Sequence, residues 1–366
     1  TMTNSNTEGS VSLNIGFSDL AGNAGSAVTS TTNGSAVRFD KTVPTLDNVT
    51  IASNNTLYTT MAKTGDNITL SFTSSEAIQT PSVSISGQAA TVTGDNMTWS
   101  AVYTMTDNNT DNVSVSLNID FEDLAGNPGS DVTSTTNGSA VLFDRTSPVL
   151  QPVDNVTTPT SDNTSLSYIF SSTEAGTINY SVCSSSDNTT AVAGNNSITF
   201  NALADGTYSN CKISVTDSSS NTSDNLSVSS FTIDTTAPIL EQVTAVSTPT
   251  NDNTSLSYTF SSTEAGTITY GNCTGSPDNA SADNNTITFN ALADGTYDNC
   301  TIRVTNSGNT SDNLSVSSFT IDTTAPTLDN VTIASNNSVS TLAKTGDNIT
   351  LSITSAETIQ TPSVSI

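Results

Sequence analysis

The chain of 366 residues has no histidine and only 7 lysines and arginines, against 34 aspartates and glutamates, which gives a formal net charge of −27. A nucleic-acid partner needs basic residues that neutralise its phosphates, so this balance argues against nucleic-acid binding and equally against anionic membrane surfaces. Without histidine, general acid–base catalysis would fall to carboxylates. The acidic surplus is compatible with solubility at high local density or with divalent cations.

Long apolar runs are also missing. No stretch approaches the 18 apolar residues that predict a transmembrane helix, so we expect no membrane span in this segment. Apolar residues make up 33% of the chain and charged residues 11%, while serine, threonine and asparagine dominate the rest. Such a composition allows disorder, because polar chains often bury too little apolar surface to fold.

The apolar residues that are present alternate with polar ones, as in the segment from Val113 to Phe121, and many of them are β-branched. A period of two predicts strands with one buried and one wet face, whereas no segment shows the 3.6-residue period of a helix. We therefore expect an all-β protein with almost no helix.

The sequence repeats itself. Residues 45–55 return almost letter for letter at 327–337, a period of roughly 280 residues, which is the signature of an array of like units. Two shorter repeats lie inside that period: residues 19–23 recur at 123–127, and residues 172–178 recur at 262–268. Arrays of this kind usually supply length and surface, not a single active site.

The repeats are of two types, A and B, each about the size of a small β-sandwich. The predicted domains, in chain order, are the C-terminal half of a type A repeat (1–41), a complete type A repeat (42–145), two type B repeats (146–235 and 236–323) and the N-terminal half of a type A repeat (324–366). We interpret the chain as a window cut from a longer array.

Each predicted boundary has the same pattern: an alternating last strand, an aspartate, a short polar step and a proline. The four copies are residues 39–44, 143–148, 233–238 and 321–326. Proline fixes φ and pushes the residue before it toward extended geometry, so these linkers should be short and stiff. We therefore expect a tandem array of sandwiches that stack end to end into an extended rod.

Three short sequence motifs resemble those of a known family. They are Ile-Asp-Thr-Thr-Ala-Pro at 233–238 and 321–326, Asp-Leu-Ala-Gly-Asn in the type A repeats, and Ser75 to Ile78 after the predicted strand Ile68 to Thr73. With these motifs the chain resembles, over essentially its whole length, the bacterial Ig-like repeats of large cell-surface adhesins and biofilm-associated proteins. The resemblance implies Ig-like sandwiches of about seven strands, repeated in an extracellular stalk. It identifies no ligand.

The four cysteines form one pair in each type B repeat, Cys183 with Cys211 and Cys273 with Cys300, and the type A repeats have none. Equivalent pairs in both copies predict a disulfide within each repeat, formed in an oxidising compartment. Metal ligation is the alternative, although zinc sites want four ligands and the chain has no histidine. Closing a loop of this length would stabilise a repeat by about 3 kcal/mol in the chain-entropy description.

A second motif precedes one cysteine of each pair: Leu203 to Tyr208, and Leu292 to Tyr297. These segments resemble the tyrosine corner of Ig-like and fibronectin-like sandwiches, in which the tyrosine hydroxyl bonds back to the upstream backbone. The alternative is an ordinary turn followed by a buried tyrosine. Both interpretations are structural.

Acidic residues recur at fixed places in the repeats. They are the linker aspartates Asp40, Asp144, Asp234 and Asp322, and the glutamates Glu76, Glu174, Glu264 and Glu357 after the second strand. Calcium needs several oxygen ligands, which a linker and an adjacent loop can supply together. The resemblance raises the same hypothesis, because linker acids bind calcium in related giant adhesins. The alternative is that each aspartate accepts a backbone N–H in the turn before proline.

The chain has about 25 Asn-x-Ser/Thr acceptor patterns for N-glycosylation. The candidate sites are Asn48, Asn67, Asn96, Asn137, Asn163, Asn253, Asn330 and Asn348. A sugar coat would shield sheet edges that otherwise invite aggregation. Many prokaryotes lack the machinery, so unmodified sequons are the alternative.

Two functions of different classes fit these observations. The first is a structural stalk or filament of a giant extracellular protein, which serves surface attachment or cell–cell adhesion and has further repeats or other copies as partners. The second is a binding module in which one repeat type recognises a glycan or a protein receptor. A lectin-like face normally needs aromatics, and Trp99 and a few tyrosines are all that is available. Catalysis is not expected, because the candidate acids recur in every repeat and no phosphate loop, zinc motif or nucleophile elbow occurs.

Overall fold

The computed structural model describes residues 1–366 and consists of strands, turns and loops. The chain forms two compact units. Unit 1 comprises residues 1–157, 164–203 and 207–231, and unit 2 comprises residues 158–163, 204–206 and 232–366. No helix with the length and hydrophobicity of a membrane span is present.

The strands are short, as expected for small sandwiches. Those of residues 1–145 are β1 (Gly9–Ser10), β2 (Arg38–Phe39), β3 (Leu46–Ser53), β4 (Met61–Ala62), β5 (Asn67–Ser74), β6 (Ser82–Ile85), β7 (Gln88–Ala89), β8 (Thr91–Asp95), β9 (Thr98–Thr104), β10 (Val113–Ser114), β11 (Leu117–Asp120) and β12 (Leu142–Phe143). Those of residues 146–235 are β13 (Leu150–Asp154), β14 (Ser167–Ser172), β15 (Gly176–Tyr180), β16 (Thr190–Ala191), β17 (Gly194–Thr199), β18 (Gly206–Tyr208), β19 (Lys212–Thr216), β20 (Leu226–Ser227) and β21 (Phe231–Ile233).

The strands of the remaining residues follow the same plan. They are β22 (Leu240–Thr244), β23 (Ser257–Ser262), β24 (Gly266–Gly271), β25 (Gly275–Ser276), β26 (Asn279–Ala280), β27 (Asp283–Phe289), β28 (Gly295–Tyr297), β29 (Thr301–Asn306), β30 (Asn309–Thr310), β31 (Leu314–Ser315), β32 (Phe319–Ile321), β33 (Leu328–Ser335) and β34 (Ile349–Ser355).

The type A strands of unit 1 form a sandwich. One antiparallel sheet has the order β3-β5-β9-β8, the other has the order β11-β6-β7, and a third small sheet has the order β10-β12-β4. Strand β5 shows why the sequence folds this way, since Ile68, Leu70 and Phe72 are buried and the residues between them are not. These three side chains belong to one core with Val83 of β6 and Ile119 of β11, which joins the two sheets.

The type B strands form comparable pairs of sheets. In unit 1 the orders are β13-β14-β17 and β16-β15-β19-β20, and in unit 2 they are β22-β23-β27-β25 and β26-β24-β29-β30. Aromatic rings fill both cores: the ring centroids of Phe200 and Phe231 lie 6.3 Å apart, and those of Phe289 and Phe319 lie 6.0 Å apart. The predicted all-β fold of tandem Ig-like sandwiches is confirmed.

In unit 2, strands β33 and β34 pair antiparallel as β3 and β5 do in unit 1. The register shifts by one residue in both pairs, between Asp47 and Thr50 in the first and between Leu328 and Asn330 in the second. Val331 and Ile333 are 53% and 62% exposed, whereas the equivalent Val49 and Ile51 of β3 are 0% and 5% exposed. The difference follows from packing, because the described residues place no second sheet over β33 and β34.

Candidate cation sites at the repeat junctions

Every linker aspartate forms the same turn. Its Oδ1 accepts the backbone N–H of the threonine two residues later, at 3.2 Å for Asp40, 3.0 Å for Asp144, 3.2 Å for Asp234 and 3.1 Å for Asp322. This is the turn that the sequence offered as the alternative to calcium binding. A carboxylate has two oxygens, however, so the turn leaves Oδ2 with capacity for a second partner.

The threonine of that turn ties each linker to a further acid. Its hydroxyl donates to Glu8 from Thr42 (2.7 Å), to Asp111 from Thr146 (2.5 Å), to Asp205 from Thr236 (3.2 Å) and to Asp294 from Thr324 (3.0 Å). Hydroxyls from the linker lower the pKa of Asp111, Asp205 and Asp294, with burial opposing them. Sequence reasoning missed these contacts; for Asp205 and Asp294 the signal is the aspartate before glycine in Leu-Ala-Asp-Gly-Thr-Tyr.

The glutamate after the second strand is also fixed locally. A serine two residues earlier donates its hydroxyl to the glutamate's backbone carbonyl, at 2.5 Å for Glu76, 2.6 Å for Glu174, 2.6 Å for Glu264 and 2.5 Å for Glu357. The strand before the glutamate therefore ends in the same turn in all four copies, and this turn fixes the backbone position of the glutamate.

In unit 1 the structure brings Asp144 and Glu174 together with Asp217, an acid that sequence reasoning missed. One carboxylate oxygen of each lies within 4.8 Å of those of the other two; we call this set the Asp144 group. Asp217 follows β19 and is 4% exposed. Its carboxylate accepts the backbone N–H of Asn221 at 2.8 Å and the Asn221 side-chain amide at 3.0 Å.

The same arrangement occurs a second time in unit 1. Asp40 and Glu76 meet Asp123, again within 4.8 Å, and we call this set the Asp40 group. Asp123 is 2% exposed and accepts the N–H of Asn127 at 2.8 Å and the Asn127 amide at 2.7 Å. Asp123 begins the Asp-Leu-Ala-Gly-Asn motif, so that motif builds a rigid loop that presents one carboxylate to the linker.

Like charges dominate both groups. Burial raises the pKa of Glu174, and the charges of Asp144 and Asp217 raise it further. Burial also raises the pKa of Asp144, assisted by Asp217 and Asp111. In the Asp40 group, burial and then Asp40 and Asp123 raise the pKa of Glu76. The Asp40 group has one nearby positive charge, because the Arg38 guanidinium lies 3.9 Å from Asp40 and acts to lower the pKa of Glu76.

One buried hydroxyl faces the Asp144 group. Ser219 is 0% exposed, and its Oγ has no partner at normal hydrogen-bond distance. The hydroxyl is still close enough to Asp144 to oppose, more weakly than the other causes, the rise in the pKa of that carboxyl. Carboxylate and hydroxyl oxygens are hard donors of the kind that Ca²⁺ takes. The residues present are compatible with calcium binding.

The predicted acids of unit 2 are arranged differently. Asp234 and Glu264 flank Asn306, the residue equivalent to Asp217, and we call this set the Asp234 group. The Asn306 amide donates to Glu264 Oε2 at 2.8 Å and to Asp234 Oδ2 at 3.4 Å. Asp322 and Glu357 belong to no group of three acids.

The cysteines lie as paired core residues. Cys183 is bridged to Cys211 and Cys273 to Cys300, each with a Cα–Cα distance of 5.2 Å, and all four are buried. The Tyr297 hydroxyl donates to the Ala293 carbonyl at 3.0 Å, which is the contact of a tyrosine corner.

The candidate sequons lie in two surroundings. Asn48, Asn96, Asn137, Asn330 and Asn348 are exposed, whereas Asn67, Asn163 and Asn253 are partly buried. The exposed set offers the more accessible amides.

No family model matches the sequence, and no curated protein matches it. Solved structures do align with it. A tetra-tandem repeat in the extending region of a large adhesion protein is 19% identical, and the alignment covers 88% of this chain and 84% of that one at a TM-score of 0.28. A Ca²⁺-stabilized adhesin that helps an Antarctic bacterium bind ice is 18% identical over 86% of this chain and 81% of that one, with a TM-score of 0.33.

Fibronectin(III)-like modules of Clostridium thermocellum CbhA are 11% identical, with 50% of this chain and 93% of that chain covered and a TM-score of 0.30. The similar structures are thus tandem fibronectin-like repeats and adhesin domains. At these TM-scores they assign no function to this chain.

Proposed function

We propose that the chain is a structural stalk segment of a large extracellular repeat protein that serves attachment or adhesion at a cell surface. The observation that carries this proposal is a contact repeated at three linkers. An asparagine amide of the following repeat donates to the linker aspartate's carbonyl: Asn127 to Asp40 (3.3 Å), Asn221 to Asp144 (2.9 Å) and Asn309 to Asp234 (2.5 Å). A contact made in the same way at three of the four linkers supports a device that orders successive repeats.

Calcium at the Asp40 and Asp144 groups is part of the proposal. Three carboxylates in each group repel one another, so without a cation the group opposes closure of the junction. A divalent ion would neutralise most of that charge and cross-link a linker to two loops of the next repeat. The ion would therefore stiffen the linker.

Location outside the cell is supported by the bridged cysteines. Disulfides persist in oxidising compartments and are rare in the cytosol, and one bridge in each type B repeat supports a sandwich with a thin core. Exposed sequons in such a compartment are candidates for glycosylation.

Small-angle scattering of the full chain tests the stalk. If strands of about ten residues set the repeat length and the repeats stack end to end, the maximum dimension in calcium should be on the order of 130 to 160 Å. A single globule of this length would have a radius of gyration of about 21 Å. A compact particle in calcium would refute the stalk, and an unchanged profile after chelation would remove calcium from the proposal.

A further inference from the structure

The loop that approaches the linker is built in two ways. In unit 1 it runs from Asp217 to Asn221, and in unit 2 the equivalent loop runs from Asn306 to Asn309 and is one residue shorter. Both loops end in an asparagine that donates to the linker carbonyl, so they occupy equivalent places. They differ in the first residue, which is a carboxylate in one loop and an amide in the other.

The Asn306 amide uses all of its hydrogen-bonding groups locally. Its nitrogen donates to Glu264 and Asp234, and its oxygen accepts the Ser307 hydroxyl at 3.0 Å. Ionised carboxylates only accept, so the NH₂ group must face them. A cation at this position would have to displace the Asn306 NH₂ group from the carboxylates. It would then have two carboxylate ligands instead of three.

The shorter loop of unit 2 also packs closely against a neighbouring segment. Gly308 has φ +92°, a left-handed conformation that favours glycine, and a Cβ there would lie 2.9 Å from the Ser161 Oγ. The longer loop of unit 1 instead holds Ser219, two residues after Asp217, and its buried Oγ has no partner at normal hydrogen-bond distance. A buried hydroxyl without a partner, in the loop that carries Asp217, is a polar group that an ordered water or a bound cation can satisfy.

We infer that the linkers fall into two classes: the Asp144 group takes one divalent cation, whereas the Asp234 group is closed by the Asn306 amide and takes none. The first half of this inference rests on the proposed function, and the second half goes beyond it. The consequence is that calcium controls the stiffness of one linker and not of the other. Removal of calcium loosens the linker at 144–148 and leaves the linker at 234–238 as it was.

Calorimetric calcium titration of the full chain and four variants tests the assignment. Asp217→Asn should lower the number of bound calcium ions by one, and Asn306→Asp should raise it by one. Two matched controls, Asp312→Asn and Asn313→Asp, make the same charge changes at exposed positions in unit 2 and should leave the number unchanged. An unchanged number in either junction variant, or a change in the controls, would overturn the two classes.

Hydrogen exchange of Asn306→Ala tests the amide closure separately. Exchange in peptides covering 234–238 should speed up equally with calcium and with chelator, because no ion is involved there. Unchanged exchange would overturn the amide closure. A wild-type chain that bound no calcium would overturn the calcium part of the proposed function and the cation class, whereas the amide closure would still be decided by this variant.

Discussion

The Asp144 group and the Asp234 group have the same linker turn, the same glutamate position and the same asparagine contact to the linker carbonyl, yet they differ in net charge. The first carries three carboxylates and the second carries two with an amide between them. A change from aspartate to asparagine, in a loop that is also one residue shorter, therefore separates a junction that needs a counter-ion from one that supplies its own hydrogen-bond donors. The comparison shows that a repeated architecture can hold its linkers by different chemistry.

The largest expected effect concerns the repeat that supplies Asp217. Cys183→Ser combined with Cys211→Ser should destabilise that repeat by about 3 kcal/mol, because the unfolded chain gains the freedom of an open loop. Denaturant unfolding followed through a type B probe measures the loss, and the type A transition serves as the internal control. Peptide mapping that found free thiols in the wild-type chain would contradict the bridge itself.

Calcium should stabilise the repeat that holds the Asp144 group, and the effect should be nearly as large as that of the disulfide. At a free calcium concentration of 100 times Kd, one bound ion stabilises the folded state by about 2.7 kcal/mol. We expect Asp217→Asn to remove one such increment from thermal or chemical unfolding, and Asp312→Asn to remove none. An equal calcium response in both variants would show that Asp217 is not a ligand.

The threonine contacts to the linker should have a smaller effect. Thr146→Val removes the hydroxyl that donates to Asp111 and should cost about 1 kcal/mol of local stability, the value of a typical hydrogen bond, because the contact is exposed to solvent. Thr324→Val is the matched change at the Asp294 contact. Hydrogen exchange at residues 144–148 and 322–326 compares them, and unaltered exchange in both would show that these contacts do not hold the linkers.

The smallest expected effect concerns the pH dependence of stability when a chelator has removed calcium. The pKa of Glu174 is raised in the folded state, chiefly by burial and then by Asp144 and Asp217, so the folded protein binds more protons than the unfolded chain above the ordinary pKa of 4.5. Stability that this group contributes is present at low pH and is lost as pH rises through its folded pKa. Unfolding at pH 5 and pH 7 in chelator should show the loss, and Glu174→Gln should diminish it. A gain in stability over this range that Glu174→Gln left intact would contradict the shift.

Much of the fold could be predicted because its signals are local. Alternation of the kind seen in Ile68, Leu70 and Phe72 depends only on neighbouring residues, and the repeated prolines mark the linkers. The meeting of Asp144 with Glu174 was also foreseeable, since both recur at fixed places. Asp217 was missed because an aspartate followed by serines reads as an ordinary turn, and its role depends on a linker far away in sequence.

Asn306 was missed for a related reason. Its equivalence to Asp217 follows from the matching segments 211–217 and 300–306, but one asparagine in a chain so rich in asparagine gives no signal of a role at the linker. The amide's hydrogen bonds to two carboxylates are a matter of three-dimensional placement, which no sequence period records.

The most direct test compares the two linkers within one sample. Hydrogen exchange of the full chain is followed during titration with a calcium chelator, with peptides that cover residues 144–148 and 234–238 read side by side. We expect exchange to accelerate at 144–148 as calcium leaves and to stay constant at 234–238. Equal acceleration at both linkers, or none at either, would contradict the account.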